Sequence, residues 1–142
     1  MDVVFLDANV LFSAAYRMTS GVRRLWDLAE IRLITSEYAV EEARRNLFQF
    51  DSVASLEPLL QHVDVLAGPV DLSALPGDVE LAEKDRPILA SAIGGKASHL
   101  VTGDRRHFGH LLGKTIKGVH VQTPAKYILE KAERGSSDTG HP

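Results

Sequence analysis

The chain has no cysteine. That excludes a disulfide scaffold, a zinc ribbon and a cysteine nucleophile, and it fits a reducing compartment. It has no basic excess. Sixteen Lys and Arg stand against 19 Asp and Glu, a formal net charge of −3. No global field draws such a chain to nucleic acid, so any polyanion contact must come from a local patch. No apolar run approaches the ~20 residues needed to cross a bilayer. The apolar N-terminus lacks a basic leader and is broken by Asp7, which makes it a poor signal peptide. A cytoplasmic location with no membrane partner is expected. There is no Gly-x-Gly-x-x-Gly to cradle a dinucleotide and no Gly-x-Ser-x-Gly elbow for a serine nucleophile. Internal repeats and low-complexity core segments are also missing.

What is present is an ordinary globular balance. The 142 residues, 44% apolar, suffice for one domain with a real core. The domain is expected over residues 1–134, followed by a flexible Gly/Ser/Asp/Thr-rich tail over 135–142. Strand-like runs alternate with helical ones. Strands are expected at 2–6, 31–35, 63–66, 99–102 and 119–122. Helices are expected at 9–16, 21–29, 37–48 behind a Ser36 cap, 52–62, 79–95 divided by Pro87, 105–112, and from Pro124 onward. This alternation points to a parallel sheet covered on both faces.

Two of the strands end in an acid. Val3-Val4-Phe5-Leu6 delivers Asp7, and Leu100-Val101-Thr102-Gly103 delivers Asp104. In an open α/β sheet, ligands bind beyond the carboxyl ends of the strands. Acids crowded there repel unless a cation occupies the cleft. Each acid also has a plainer role. Asp7, Asp85 and Asp104 could cap the helices that follow them, and Glu41 and Glu42 could form a solvated face paired with Arg44 and Arg45.

Four segments together resemble the PIN domain family. They are Leu6-Asp7-Ala8-Asn9-Val10-Leu11, Ser36 to Arg44, Lys84 to Ala92, and His99 to Arg106, spread across residues 2 to 129 in the family's order. The chain is most similar in kind to short stand-alone bacterial and archaeal PIN proteins, many of them VapC-type toxins. The resemblance implies a three-layer α/β/α sandwich around a parallel sheet of about four to five strands. It implies Asp7, Glu42, Asp85 and Asp104 as catalytic, metal-binding acids for Mg²⁺ or Mn²⁺, with Asn9 and Thr102 orienting ligands beside them. It further implies an endoribonuclease, the toxin of a type II toxin–antitoxin pair, with RNA as substrate, an antitoxin partner and a homodimer. One position departs. Many relatives carry a further acid before the aromatic residue that follows the fourth motif, and here that position is His107, before Phe108.

Carboxylates are hard oxygen donors suited to these cations. A metal-activated water needs no protein nucleophile, in keeping with the missing cysteine and serine elbow. Arg86, Arg105 and Arg106 are the candidates for substrate phosphate, Arg105 and Arg106 because they follow Asp104 directly. His62, His99 and His110 read as packing or surface residues. A haloacid-dehalogenase-type phosphatase would need a second acid where Asn9 stands, and a receiver domain would need paired acids after the first strand. The alternative from another class is a catalytically weak PIN-like module that binds RNA or protein.

Overall fold

The computed structural model describes residues 1–139, the last five by backbone alone. Six strands form one sheet in the order β3-β2-β1-β4-β6-β5. They are β1 (Asp2–Leu6), β2 (Ile31–Ser36), β3 (Asp64–Leu66), β4 (His99–Val101), β5 (Thr115–Ile116) and β6 (Val119–Gln122). All pairings are parallel except β5 with β6. The helices are α1 (Ala8–Tyr16), α2 (Glu37–Phe48), α3 (Leu56–Leu60), α4 (Arg86–Gly94), α5 (Arg105–Phe108) and α6 (Pro124–Thr139).

β1 is central because its residues suit burial on both sides. Val4, Phe5 and Leu6 are fully buried, as are Leu100 and Val101 of β4 beside them. From β1 the chain steps outward to β2 and β3, then returns to the other side of β1 for β4 and β6. Right-handed crossovers therefore place α1 and α2 on one face, where they pack together, and α4 on the other. The point where the strand order reverses lies between β1 and β4, the place where open α/β sheets form a crevice.

The sheet has one strand more than the upper expectation. β5 is only two residues long, and its hairpin to β6 turns through Lys117 and Gly118, both at positive φ (50° and 85°). Two left-handed residues make the tight turn whose twist matches antiparallel strands. Two β-residues are too few to show as alternation in the sequence.

Four helical expectations change, the simplest being 105–112, where α5 stops at Phe108 and a 3₁₀ turn over 109–111 follows. Residues 21–27 form a 3₁₀ helix rather than an α-helix. Val22, Leu25 and Leu28 are spaced by three, which suits a 3.0-residue period as well as 3.6. The helix expected over 52–62 shortens to a 3₁₀ turn at 53–55 and α3, with Asp51 at a φ of 54° before them. Leu56 and Leu59 are buried in the core. The helix expected from 79 starts only at Arg86. Pro87 sits in the first turn of α4, where its missing amide costs nothing, and its ring would clash with a helix continuing backward. Residues 79–85 stay extended or turned, so Asp85 stands at the mouth of a helix rather than inside one.

α6 runs in helical backbone to Thr139. It takes in the first five residues of the expected tail, and residues 140–142 lie outside the described ones. No helix among the described residues is long and apolar enough to cross a membrane.

Candidate metal centre

Asp7 follows the last residue of β1 and Thr102 follows the last residue of β4. The two strand ends are tied by the Asp7 amide, which donates to the Val101 carbonyl at 3.2 Å. The Thr102 hydroxyl donates to Asp7 Oδ2 at 2.8 Å, and Asn9 Nδ2 donates to the same oxygen at 3.1 Å. Asn9 Oδ1 accepts from the Gly103 amide at 2.7 Å, and Thr102 Oγ1 accepts from the Asp104 amide at 3.1 Å. A Cβ at Gly103 would stand 3.3 Å from Asn9 Oδ1, so this loop passes close against the Asn9 side chain. Asn9 and Thr102 thus hold Asp7 in place and lock the loop that presents Asp104.

The helices bring the other acids. Asp7, Glu42, Asp85 and Asp104 all line one cleft of about 320 Å³, together with Ala8, Asn9, Phe12, Asn46, Gln49, Phe50 and Lys84. Capping and clustering turn out to coexist. Asp7 Oδ1 accepts from the Ala8 amide at 2.7 Å, and Asp104 Oδ1 accepts from the His107 amide at 3.0 Å, so both cap their helices with one oxygen, while the other is held by Thr102 and Asn9 in Asp7 and by the His107 ring in Asp104. Asp85 makes no side-chain cap. Its Oδ2 is buried with no hydrogen-bond partner. Glu41 turns away from the cleft and pairs with Arg44 at 3.1 Å.

The electrostatics follow from this crowding. Burial, reinforced by the charges of Glu42 and Asp85, raises the Asp7 carboxyl to about 6 despite its hydrogen bonds from Thr102 and Ala8. Burial also raises Asp85, with Asp104 adding to the rise and His107 and Lys84 opposing it. Asp104 goes the other way: burial pushes it up, but hydrogen bonds from the His107 ring and backbone outweigh that and hold it below its ordinary value. Tyr38 is raised first by burial and then by Glu42 and Asp85. A concentrated negative field with a buried, unpartnered oxygen is what a cation would relieve. Because the donors are carboxylates, the residues present fit a hard divalent ion.

The basic candidates are placed differently. Arg86 and Arg106 line a second, more open depression with His107 and His110, none of which lines the acidic cleft. Arg105 is exposed and lines neither hollow. Lys84 is the cation that lines the acidic cleft itself. Phe12, Asn46, Gln49 and Phe50 were not singled out in the sequence. Asn46 had a signal, lying four residues after Glu42 on the same face of α2, and Gln49, just past the helix end, continues that spacing at seven. Phe50 had none, since it reaches the cleft from the turn after α2.

Residues 3–106 match the profile of a family described as PIN domain. Among curated proteins, none matches the chain in sequence. Solved structures of similar fold include VapBC2 from Rickettsia felis bound to a DNA fragment from its promoter, at 16% identity and a TM-score of 0.64. That similarity covers 85% of this chain and 98% of the other. VapBC-1 from nontypeable Haemophilus influenzae is similar at 17% identity and a TM-score of 0.61, covering 87% and 98%. VapC20 of Mycobacterium tuberculosis, described as a sarcin–ricin-loop-cleaving toxin, is similar at 18% identity and a TM-score of 0.52, covering 71% and 91%.

Proposed function

The chain belongs to the PIN domain family, and on that premise we propose that it is a metal-dependent endoribonuclease, the toxin of a type II toxin–antitoxin pair. The observation that carries the reading is the single cleft lined by Asp7, Glu42, Asp85 and Asp104, with Asp85 Oδ2 buried and unpartnered. These four acids would hold Mg²⁺ or Mn²⁺. A bound ion of this kind supplies an acidified water as nucleophile and offsets charge on the phosphoryl oxygens. Thr102 and Asn9 keep Asp7 Oδ2 oriented toward the cleft through their two hydrogen bonds. Lys84 at the cleft wall offers a positive charge to the scissile phosphate, while Arg86 and Arg106 sit where the flanking backbone of a bound strand would run. RNA as the substrate is the reading we take from the fold shared with VapC20, described as a sarcin–ricin-loop-cleaving toxin.

An antitoxin partner is supported by the VapBC assemblies of similar fold. An apolar groove lined by Val22, Ile128 and Leu129 runs between residues 20–24 and α6, and Leu129 is 55% exposed. It is a surface that a protein partner, an antitoxin or a second copy in a homodimer, would cover.

Cleavage of a single-stranded RNA with Mg²⁺, with Mn²⁺ and in excess chelator tests the reading. Cleavage should need a metal and stop in chelator. Undiminished cleavage in chelator rules the mechanism out. Tight RNA binding with no cleavage in either metal would instead favour the binding module.

A further inference from the structure

One corner of the cleft is built differently from the rest. One ligand atom from each of Asp85, Asp104 and His107 lies within 4.8 Å of the other two. His107 Nδ1 is 2.7 Å from Asp104 Oδ2 and 3.8 Å from Asp85 Oδ2. The ring is held there by its own helix start. The His107 amide donates to Asp104 Oδ1 while the ring meets Asp104 Oδ2, so one residue clasps both oxygens of one carboxylate. That clasp turns the ring nitrogen toward Asp85, across the first turn of α5.

The independent observation is Asp85. It is 7% exposed, and its Oδ2 has no hydrogen-bond partner although His107 Nδ1 stands nearby. Buried carboxylate oxygens without a partner are costly and rare. The ring nitrogen serves Asp104 and leaves Asp85 unanswered. A cation seated among the three atoms would satisfy Asp85 Oδ2 and take the place of the proton shared by His107 and Asp104.

We infer that His107 is a ligand of the ion in this cleft, and that its ring nitrogen makes the site prefer a transition-metal dication such as Mn²⁺ over Mg²⁺. The inference rests on the reading of the cleft as a metal-dependent nuclease centre. Mg²⁺ is held by carboxylates, phosphates and retained waters. Imidazole is a borderline donor that suits transition metals, so a ring nitrogen among the carboxylates shifts the site's choice of ion toward them. Against this stands a purely structural role, in which His107 only fastens Asp104 to α5 and never meets the ion.

Two measurements on the whole chain separate these roles. The first is pulsed electron paramagnetic resonance of the protein loaded with Mn²⁺, read for coupling to a ring nitrogen. The second is Mn²⁺ and Mg²⁺ affinity, read from thermal shifts, for parent, His107→Asn and His107→Asp. Asparagine keeps a donor toward Asp104, so the fastening survives and the ring nitrogen is lost. The parent should show nitrogen coupling that vanishes in His107→Asn. That variant should lose at least about tenfold in Mn²⁺ affinity, since removing even the outer partner of a ligand costs about 10–100-fold, and little in Mg²⁺ affinity. His107→Asp should move the preference toward Mg²⁺. Mn²⁺ bound without nitrogen coupling, or bound equally by parent and His107→Asn, overturns this inference and leaves the nuclease reading standing. If neither metal binds the parent, both fall together.

Discussion

Asp2 opens β1 and Asp7 follows its last residue, yet the two carboxylates meet opposite surroundings. Asp2 Oδ2 accepts from the Tyr127 hydroxyl at 2.7 Å and lies 3.8 Å from Lys131, 3.5 Å from Arg134 and 4.0 Å from His99. Burial alone would raise it. Tyr127 and the cationic neighbours outweigh burial and hold it below its ordinary value. Asp7 has hydrogen bonds too, but its charged neighbours are Glu42 and Asp85, and it rises to about 6. One end of the strand fastens α6 to the sheet with balanced charge. The other end accumulates charge of one sign. The comparison teaches that the carboxyl end of β1 is kept at a cost to stability, which supports the metal-centre reading proposed for it.

The largest expected difference between the two ends is in activity. Asp7→Asn should lower metal-dependent RNA cleavage by at least about 100-fold. Asp2→Asn should leave the rate within about twofold when assayed below its melting temperature, since its partners lie at the opposite end of the sheet. Equal losses in both variants would break the comparison.

The next is the response of the metal-free protein to pH, which should have opposite signs at the two ends. Asp7 has a folded value of about 6, above an unfolded value of about 3.9. The folded state therefore binds its proton more tightly, and stability falls as the pH rises from about 4 to 6, by roughly 3 kcal/mol, then levels. Asp2 is depressed in the folded state, so its contribution is present above the unfolded value and is lost as pH falls through the folded one. Denaturant melts of parent, Asp7→Asn and Asp2→Asn across pH 3 to 8 check this. Asp7→Asn should flatten the upper slope and Asp2→Asn the lower. Parallel curves for all three would show that neither end is tuned as described.

A smaller effect sharpens the structural end. Asp2→Asn should cost about 1–2 kcal/mol at neutral pH, because the Tyr127 hydrogen bond weakens and Lys131 and Arg134 lose their partner. Arg134→Ala alone should cost well under 1 kcal/mol, since that contact is 3.5 Å long and Arg134 is exposed. The smallest effect lies beside the acidic end. Arg86→Ala or Arg106→Ala should weaken RNA binding only a few-fold, and each should reduce the salt dependence by about 0.7 in log–log slope. Binding with unchanged salt dependence in both would move the RNA path elsewhere.

Much of the acidic end was legible in the sequence because its signals are local. A short apolar run stopping at an acid marks a strand end, and Ser36 ahead of Glu37 to Phe48 marks a helix start, which the Ser36 hydroxyl does cap through the Ala39 amide. The motif position picked Glu42 over Glu41, and in the structure Glu41 pairs with Arg44 instead. Other features lay beyond such signals. β5 is too short for a pattern, the 3₁₀ stretch at 21–27 shares its spacing with an α-helix, and the start of α4 depended on whether Pro87 divided a helix or opened one. The placement of Arg105 outside the cleft, and of Phe50 within it, turned on loop directions that no local pattern encodes.

Through the resemblance of four motifs to the PIN family the sequence pointed to the four acids, and by itself it determined the α/β class and the apolar strands that must be buried on both faces. Those follow from side-chain chemistry and from periods of two and 3.6, which act over a few residues. Only the tertiary structure decided that Thr102 would reach Asp7 across 95 residues of chain. It alone decided that β1 and β4 would lie side by side at the point where strand order reverses, and that Asp85 Oδ2 would be left without a partner. Strand order and long-range contacts are settled by how all the elements bury their apolar faces together, and that competition has no representation in any single stretch of residues.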